Sequence, residues 1–219
     1  MITGAIFDLD GTLLDSNGYW DRAPDAYLRI LGKKAGPELA KTIFTMTLPE
    51  AAAYMTREYG LHQSGEEIMA GINRAMERFY LTEVPLKEGA REALDFLQHL
   101  GIPMAVASVT DRPLVEAALT RFGLLGYFRT IVTTADVGVG KQAPDVYLRA
   151  AETLGSPPGK TLVFEDALHA LETARRAGFR TAGVYDPASE SCQERIRSVS
   201  DLYLSSLTEL IPLLQEMKN

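Results

Sequence analysis

The first patterned stretch is the apolar run at residues 2–7, which stops abruptly at Asp8-Leu9-Asp10-Gly11-Thr12. A short apolar run closed by polar and turn residues predicts a buried strand. The texture then changes. From residue 16 to about 83 the apolar positions recur at intervals of three and four, which predicts helices and no strand. Tyr27, Leu28, Ile30 and Leu31 form one stripe, ended by Gly32, and Leu39, Ile43 and Phe44 form a second. Leu48 to Tyr59 follows, with Thr47 at the cap position and Gly60 as the stop. Ser64 opens a longer helix that places Ile68, Ile72, Met76 and Phe79 on one face.

From Val84 onward, strand and helix patterns alternate. Helical periodicity runs through Ala90, Ala93, Leu94 and Leu97 to Gly101, and strand-like residues 102–108 follow. A helix to Phe122 and a strand at 130–134 come next, then a helix at 144–154 and a strand at 161–164. After these the pattern gives helix 167–177, strand 180–185, a weak strand at 202–204 and a helix at 207–217. Repeated strand–helix units with apolar strands predict an α/β fold, a Rossmann-like parallel sheet with helices on both faces. The helical stretch interrupts this sheet after its first strand. The expected domains are therefore a core of residues 1–15 and 84–219 and an all-helical insertion at 16–83. An insertion placed directly after an acidic strand end is expected to act as a lid. The chain shows no internal repeat and no low-complexity tract.

Composition narrows the classes. At 219 residues, 46% hydrophobic and 23% charged, the chain is ordinary for a globular protein and can bury a substantial core. No apolar run approaches the roughly 20 residues of a membrane span. The N-terminus lacks the basic flank and apolar core of a signal peptide. A lone cysteine, Cys192, excludes an internal disulfide framework, so a reducing cytoplasm is the expected location. Twenty-two basic against 29 acidic residues give a net charge of −7, which argues against a nucleic-acid-binding face. Monomer and homodimer both stay open.

The candidate chemistry lies at strand ends, where active groups of parallel sheets gather. Asp8 and Asp10 are two residues apart and so leave the first strand on one side. Such a pair persists where a divalent cation binds between the acids or one is kept protonated. Gly11 allows a sharp turn, and Thr12 adds a hydroxyl. Ser108 closes the second strong strand; its hydroxyl and the next backbone N–H, at Val109, can donate to a phosphoryl oxygen. Thr110 or Asp111 can instead cap the helix starting near Pro113. Gly138-Val139-Gly140-Lys141 is no P-loop, because Gln142 stands where Ser or Thr belongs, and it is a poor dinucleotide fingerprint. Lys141 is then either a solvated lysine or a cation aimed at an anion. Glu165 and Asp166 end another strand and would complete an all-oxygen site suited to magnesium, while Asp166 could also cap the helix from Ala167. His62, His99 and His169 are scattered without zinc-ligand spacing. Trp20, Arg22, Thr45 and Thr47 are the candidate substrate contacts from the helical insertion.

Asp8-Leu9-Asp10-Gly11-Thr12-Leu13 resembles the first motif of the haloacid dehalogenase-like hydrolases, Asp-x-Asp-Gly-Thr-Leu. Ser108, Lys141 and Glu165-Asp166 match the second, third and fourth motifs in position. The resemblance implies an aspartyl-phosphate enzyme with a helical cap between its first two motifs. It implies that Asp8 is nucleophile and magnesium ligand, and that Asp10 is general acid/base and binds the metal through its backbone carbonyl. Ser108 and the Val109 amide would hold phosphate, and Lys141 would neutralise nucleophile and phosphoryl charge. Asp166 as a direct ligand and Glu165 as a direct or water-mediated one would complete the Mg2+ site. Two departures stand out. Gln142 replaces the proline that usually follows the lysine, so no cis bond is expected there. Ala167 and Ala170 replace a small polar residue and a glycine. The implied activity is Mg-dependent hydrolysis of a small phosphorylated metabolite such as a sugar phosphate, phosphoglycolate or a nucleotide monophosphate. A sugar phosphomutase of the β-phosphoglucomutase type is the alternative, and that branch carries a His soon after the first motif and a Gly-x-x-x-Arg loop in the cap. Here Trp20 stands at the His position and residues 46–53 lack Gly and Arg, so hydrolysis is preferred. The second Asp of the first motif argues against dehalogenation. A receiver-like phospho-switch is the other alternative, opposed by the helical insertion and by Asp10-Gly11-Thr12.

Overall fold

The computed structural model describes residues 2–43, 46 and 48–216. It divides into two compact units, one of residues 1–15 and 85–219 and one of residues 16–84.

In the helical unit, α1 (Asn17–Ile30), α2 (Leu39–Ile43), α3 (Leu48–Tyr59) and α4 (Gly65–Thr82) follow in order. The face of α4 predicted from spacing is the buried one: Ile68, Ile72, Met76 and Phe79 are all interior. Its start is a capping box, in which Ser64 Oγ accepts from Glu67 N at 3.2 Å and Glu67 Oε2 accepts from Ser64 N at 2.7 Å. Both α1 and α3 pack on α4. The α1 contact is close because Gly71 lies against Tyr27; a Cβ at 71 would come within 2.1 Å of that ring. One stripe residue departs from expectation: Ile30 ends α1 and is 72% exposed, because the buried face is carried by Ala23, Pro24, Tyr27 and Leu28. Phe44 and the cap at Thr47 lie outside the described residues.

In the other unit the strands are β1 (Gly4–Phe7), β2 (Met104–Ser108), β3 (Phe128–Thr133), β4 (Thr161–Glu165), β5 (Arg180–Val184) and β6 (Leu202–Leu204). Among the described residues they form one parallel sheet in the order β3-β2-β1-β4-β5-β6. The expected α/β Rossmann-like sheet is present. Its helices are α5 (Ala90–His99), α6 (Arg112–Arg121), α7 (Thr134–Val137), α8 (Asp145–Leu154), α9 (Leu168–Arg176), α10 (Gln193–Val199) and α11 (Leu210–Glu216). Every residue of β1, β2 and β4 is buried, as continuous apolar strands covered on both faces require. On one face Ile6, Ala105, Ala107 and Val163 meet Val146, Tyr147 and Ala150 of α8. The alternate residues Phe7 and Phe164, neighbours in the β1–β4 register, stack with ring centres 4.1 Å apart.

Local chemistry moves two predicted boundaries. The third strand stops at Thr133 rather than 134, because Thr133 caps α7 in a capping box with Asp136. The last helix begins as a 3-10 turn, Leu207–Glu209, before α11. After β1, Gly11 has φ +76°, and its N–H donates to Leu14 O at 2.8 Å, which closes the tight turn that glycine was expected to permit. Where the chain leaves this unit and returns, Asp15 N donates to Pro85 O at 3.0 Å, so the two crossings run side by side. No helix among the described residues is long and apolar enough to cross a membrane.

Gly71→Ala should overpack the α1–α4 contact and destabilise the helical unit by about 1–3 kcal/mol. Thermal unfolding of the variant beside the parent chain reads this, and an unchanged midpoint would show that Tyr27 moves aside freely.

Candidate active site

The sheet order reverses between β1 and β4, and in such sheets the crevice at the switch point is where ligands bind. Asp8 follows β1 and keeps its pairing one residue further, its N–H donating to Phe164 O at 3.0 Å. That bond sets Asp8 beside Glu165 and Asp166 at the end of β4. One carboxylate oxygen from each of Asp8, Glu165 and Asp166 lies within 4.8 Å of the others, and all three residues are buried.

Lys141 reaches this cluster from the loop before α8. Its Nζ donates to Asp8 Oδ1 at 2.5 Å and to Glu165 Oε1 at 2.6 Å. The solvated-lysine reading therefore fails, since Lys141 is 4% exposed. Gln142 does not prevent this placement. The 141–142 peptide is trans, and the Gln142 side chain folds back over Gly140, where a Cβ would come within 2.4 Å of its Oε1.

The electrostatics follow from burial. Desolvation holds the Asp8 carboxyl well above its ordinary range, the Glu165 charge adds to this, and Lys141 opposes it. Burial alone would lower the Lys141 ammonium, but Asp8 and Glu165 more than offset it, so Lys141 is raised and stays charged. One ammonium among this many acids leaves an excess of negative charge, and Glu165 Oε2 is buried without a hydrogen-bond partner. An all-carboxylate cluster with an orphaned oxygen fits a hard divalent cation, which prefers oxygen ligands. The cluster holds no His or Cys, and His62, His99 and His169 are exposed.

Asp10 has a different partner. Its Oδ2 accepts from Thr110 Oγ1 at 2.7 Å, and its side chain is outside the three-carboxylate cluster. Ser108 is fully buried, and its Oγ accepts from Thr110 N at 3.0 Å, which leaves its hydroxyl proton to donate elsewhere. The Val109 side chain is 59% exposed, so its contribution to a site is its backbone. The cap of α6 falls on Asp111, which makes no side-chain capping bond, and Thr110 commits its hydroxyl to Asp10 instead. The cap of α9 likewise falls on Ala167 rather than Asp166, because the helix starts one residue later than its apolar pattern suggests.

Of the residues proposed from the helical insertion, Trp20 donates its indole N–H to Tyr80 OH at 3.2 Å. Arg22 lies over the rings of Tyr19 and Phe79 and pairs with Glu83 at 3.3 Å. Both are engaged within the helical unit, and Thr45 and Thr47 lie outside the described residues. Two residues escaped the sequence reading. In the sequence Thr110 reads only as a helix cap. Tyr147, read as part of an ordinary helix, donates its OH to Glu165 Oε1 at 2.6 Å. A signal for it existed, since a buried tyrosine needs a partner for its hydroxyl.

Comparison with known proteins shows the family. Residues 2–178 match the family model of haloacid dehalogenase-like hydrolases, and the chain belongs to that family of enzymes. It is 31% identical over 212 residues to hexitol phosphatase B of Escherichia coli K12, covering 95% of this chain and 94% of that protein. The solved structure of a candidate β-phosphoglucomutase from Thermotoga maritima superposes with a TM-score of 0.83 at 26% identity, covering 98% and 99% of the two chains. CbbY of Rhodobacter sphaeroides, solved with phosphate, superposes with a TM-score of 0.79 at 27% identity over 96% of each chain. The receiver-module reading is set aside by the family match.

Lys141→Met should destabilise the chain by about 3–5 kcal/mol in chelator at neutral pH, because it leaves buried carboxylates facing one another without their cation. Denaturant unfolding would measure it; a loss below about 1 kcal/mol would mean that Asp8 simply takes up a proton.

Proposed function

We propose that this protein is a phosphatase of small phosphorylated metabolites, in the range of sugar or polyol phosphates, acting through an aspartyl-phosphate on Asp8. The observation that carries this reading is Lys141 Nζ bridging the buried carboxylates of Asp8 and Glu165, with Asp166 beside them. A lone buried nucleophile of this kind needs a permanent cation to stay anionic. The 31% likeness to a hexitol phosphatase supports a phosphorylated polyol or sugar as the substrate class.

In this reading an Asp8 carboxylate oxygen attacks phosphorus, and Asp10 gives a proton to the departing oxygen. Asp10 then takes a proton from the water that hydrolyses the aspartyl-phosphate. Ser108 Oγ–H, the Val109 N–H and Lys141 offset charge on the equatorial oxygens, the main demand of phosphoryl transfer. Asp8, the Asp10 carbonyl, Glu165 and Asp166 would hold Mg2+, which supplies further charge neutralisation when bound. The helical unit would be the lid. Its entry and exit run side by side at Asp15 and Pro85, which gives a lid one narrow pivot.

Asp8→Asn should abolish turnover and keep the fold, and Asp10→Asn should lower kcat by about 10²–10⁴-fold. Phosphate release from a panel of phosphorylated metabolites measures both, and normal release by the Asp8 variant refutes the nucleophile. Chelation should silence the parent chain, and added Mg2+ should restore it. The likeness to a candidate β-phosphoglucomutase keeps isomerisation as a second reading. Conversion of glucose 1-phosphate to glucose 6-phosphate without phosphate release would favour it over hydrolysis.

A further inference from the structure

The two oxygens of Glu165 live in different surroundings. Oε1 accepts from Lys141 Nζ at 2.6 Å and from Tyr147 OH at 2.6 Å, while Oε2 is buried with no hydrogen-bond partner. Lys141 is a point charge on a flexible stem and is shared with Asp8. It holds Glu165 close but cannot alone fix the turn of its carboxylate plane. Tyr147 can. Its ring is wholly buried on α8 and lies 6.2 Å from Phe179, so its hydroxyl has one direction to point. Two donors on one oxygen, one from the loop before α8 and one from the helix itself, leave the other oxygen buried without a protein donor.

We infer that Tyr147 is a positioning residue, whose hydroxyl, together with Lys141, locks the Glu165 carboxylate so that Oε2 is presented to the cation. The inference rests on the metal-dependent reading above. It assigns Glu165 a direct contact through one named oxygen in place of a water-mediated one. Outer partners of this kind set metal affinity by orienting the ligand.

The test is Mn2+ binding to the full chain, followed by calorimetry and by the spin-resonance signal of free Mn2+. Tyr147→Phe should weaken Mn2+ about tenfold or more, with an unfolding midpoint in chelator close to that of the parent. Tyr147→Met, which also lacks the hydroxyl but packs differently, should show the same loss of affinity. In a Glu165→Gln background, Tyr147→Phe should change the affinity no further. A merely structural tyrosine would lower the midpoint in chelator and leave the Mn2+ affinity unmoved, which overturns the inference. An equal loss in the Glu165→Gln background overturns it too, because Tyr147 would then act by another route. If the parent chain fails to bind Mn2+, the metal reading falls and takes this one with it. A parent that binds and a Tyr147→Phe variant that binds equally sink this inference alone.

Discussion

The rest of the site depends on one buried ammonium. Taking carboxylates out of water is expensive, and their mutual repulsion adds to the cost. Asp8, Glu165 and Asp166 are gathered within 4.8 Å at the switch point of the sheet, with the Lys141 amine on two of them. Without that amine the low-energy response of the cluster is to take up protons, which is the direction in which burial and Glu165 push Asp8. In the proposed mechanism a protonated Asp8 could not attack phosphorus. The ion pair is therefore a device for keeping a charge in a place that disfavours it, and its contribution to stability is secondary.

The sheet makes that placement affordable in geometry. β1 and β4 are adjacent but far apart in sequence, and their register sets Phe7 beside Phe164. The apolar stack of those two rings forms the floor immediately before the acids begin. Because the strands are parallel, both chains reach their polar ends at one edge, and the carboxylates arrive together without any loop having to bend toward them. The loops supply what the strands cannot. Lys141 comes from the loop ahead of α8, and Thr110, just past β2, meets Asp10 just before the Gly11 turn.

Much of this could be read from residues alone, and the parts that could not share a cause. Strands and helices were visible because burial imposes periodicity, as Ile68, Ile72, Met76 and Phe79 show. Asp8, Glu165 and Asp166 were visible because acids at the ends of apolar strands are anomalous. Lys141 was found through its motif, and Gln142 drew attention to its pose, yet only coordinates show the Gln142 side chain turned back over Gly140. Thr110 and Tyr147 were missed because their roles are long-range pairings, 100 and 18 residues apart in sequence. Hydroxyls have many local uses, so nothing nearby distinguishes a threonine that caps a helix from one that holds an acid. Ile30 misleads for the opposite reason: a stripe of apolar residues at a helix end does not say which one faces out.

The different partners of the two acids in the first motif fit the different tasks proposed for them. Asp8 is bound to an ammonium, a donor with no capacity to accept, so its partner favours the carboxylate form only. Asp10 is bound to a threonine hydroxyl, which donates to a carboxylate and accepts from a carboxylic acid with no more than a rotation of its proton. A nucleophile should keep one charge state until it attacks. A group that first gives and then takes a proton should have a partner indifferent to the exchange. Ser108, on the same short turn, uses its oxygen to accept from the Thr110 backbone, which joins the hydroxyl proposed for phosphate to the residue that holds Asp10. The turn from Ser108 to Thr110 thereby carries two of the proposed functions on three consecutive residues.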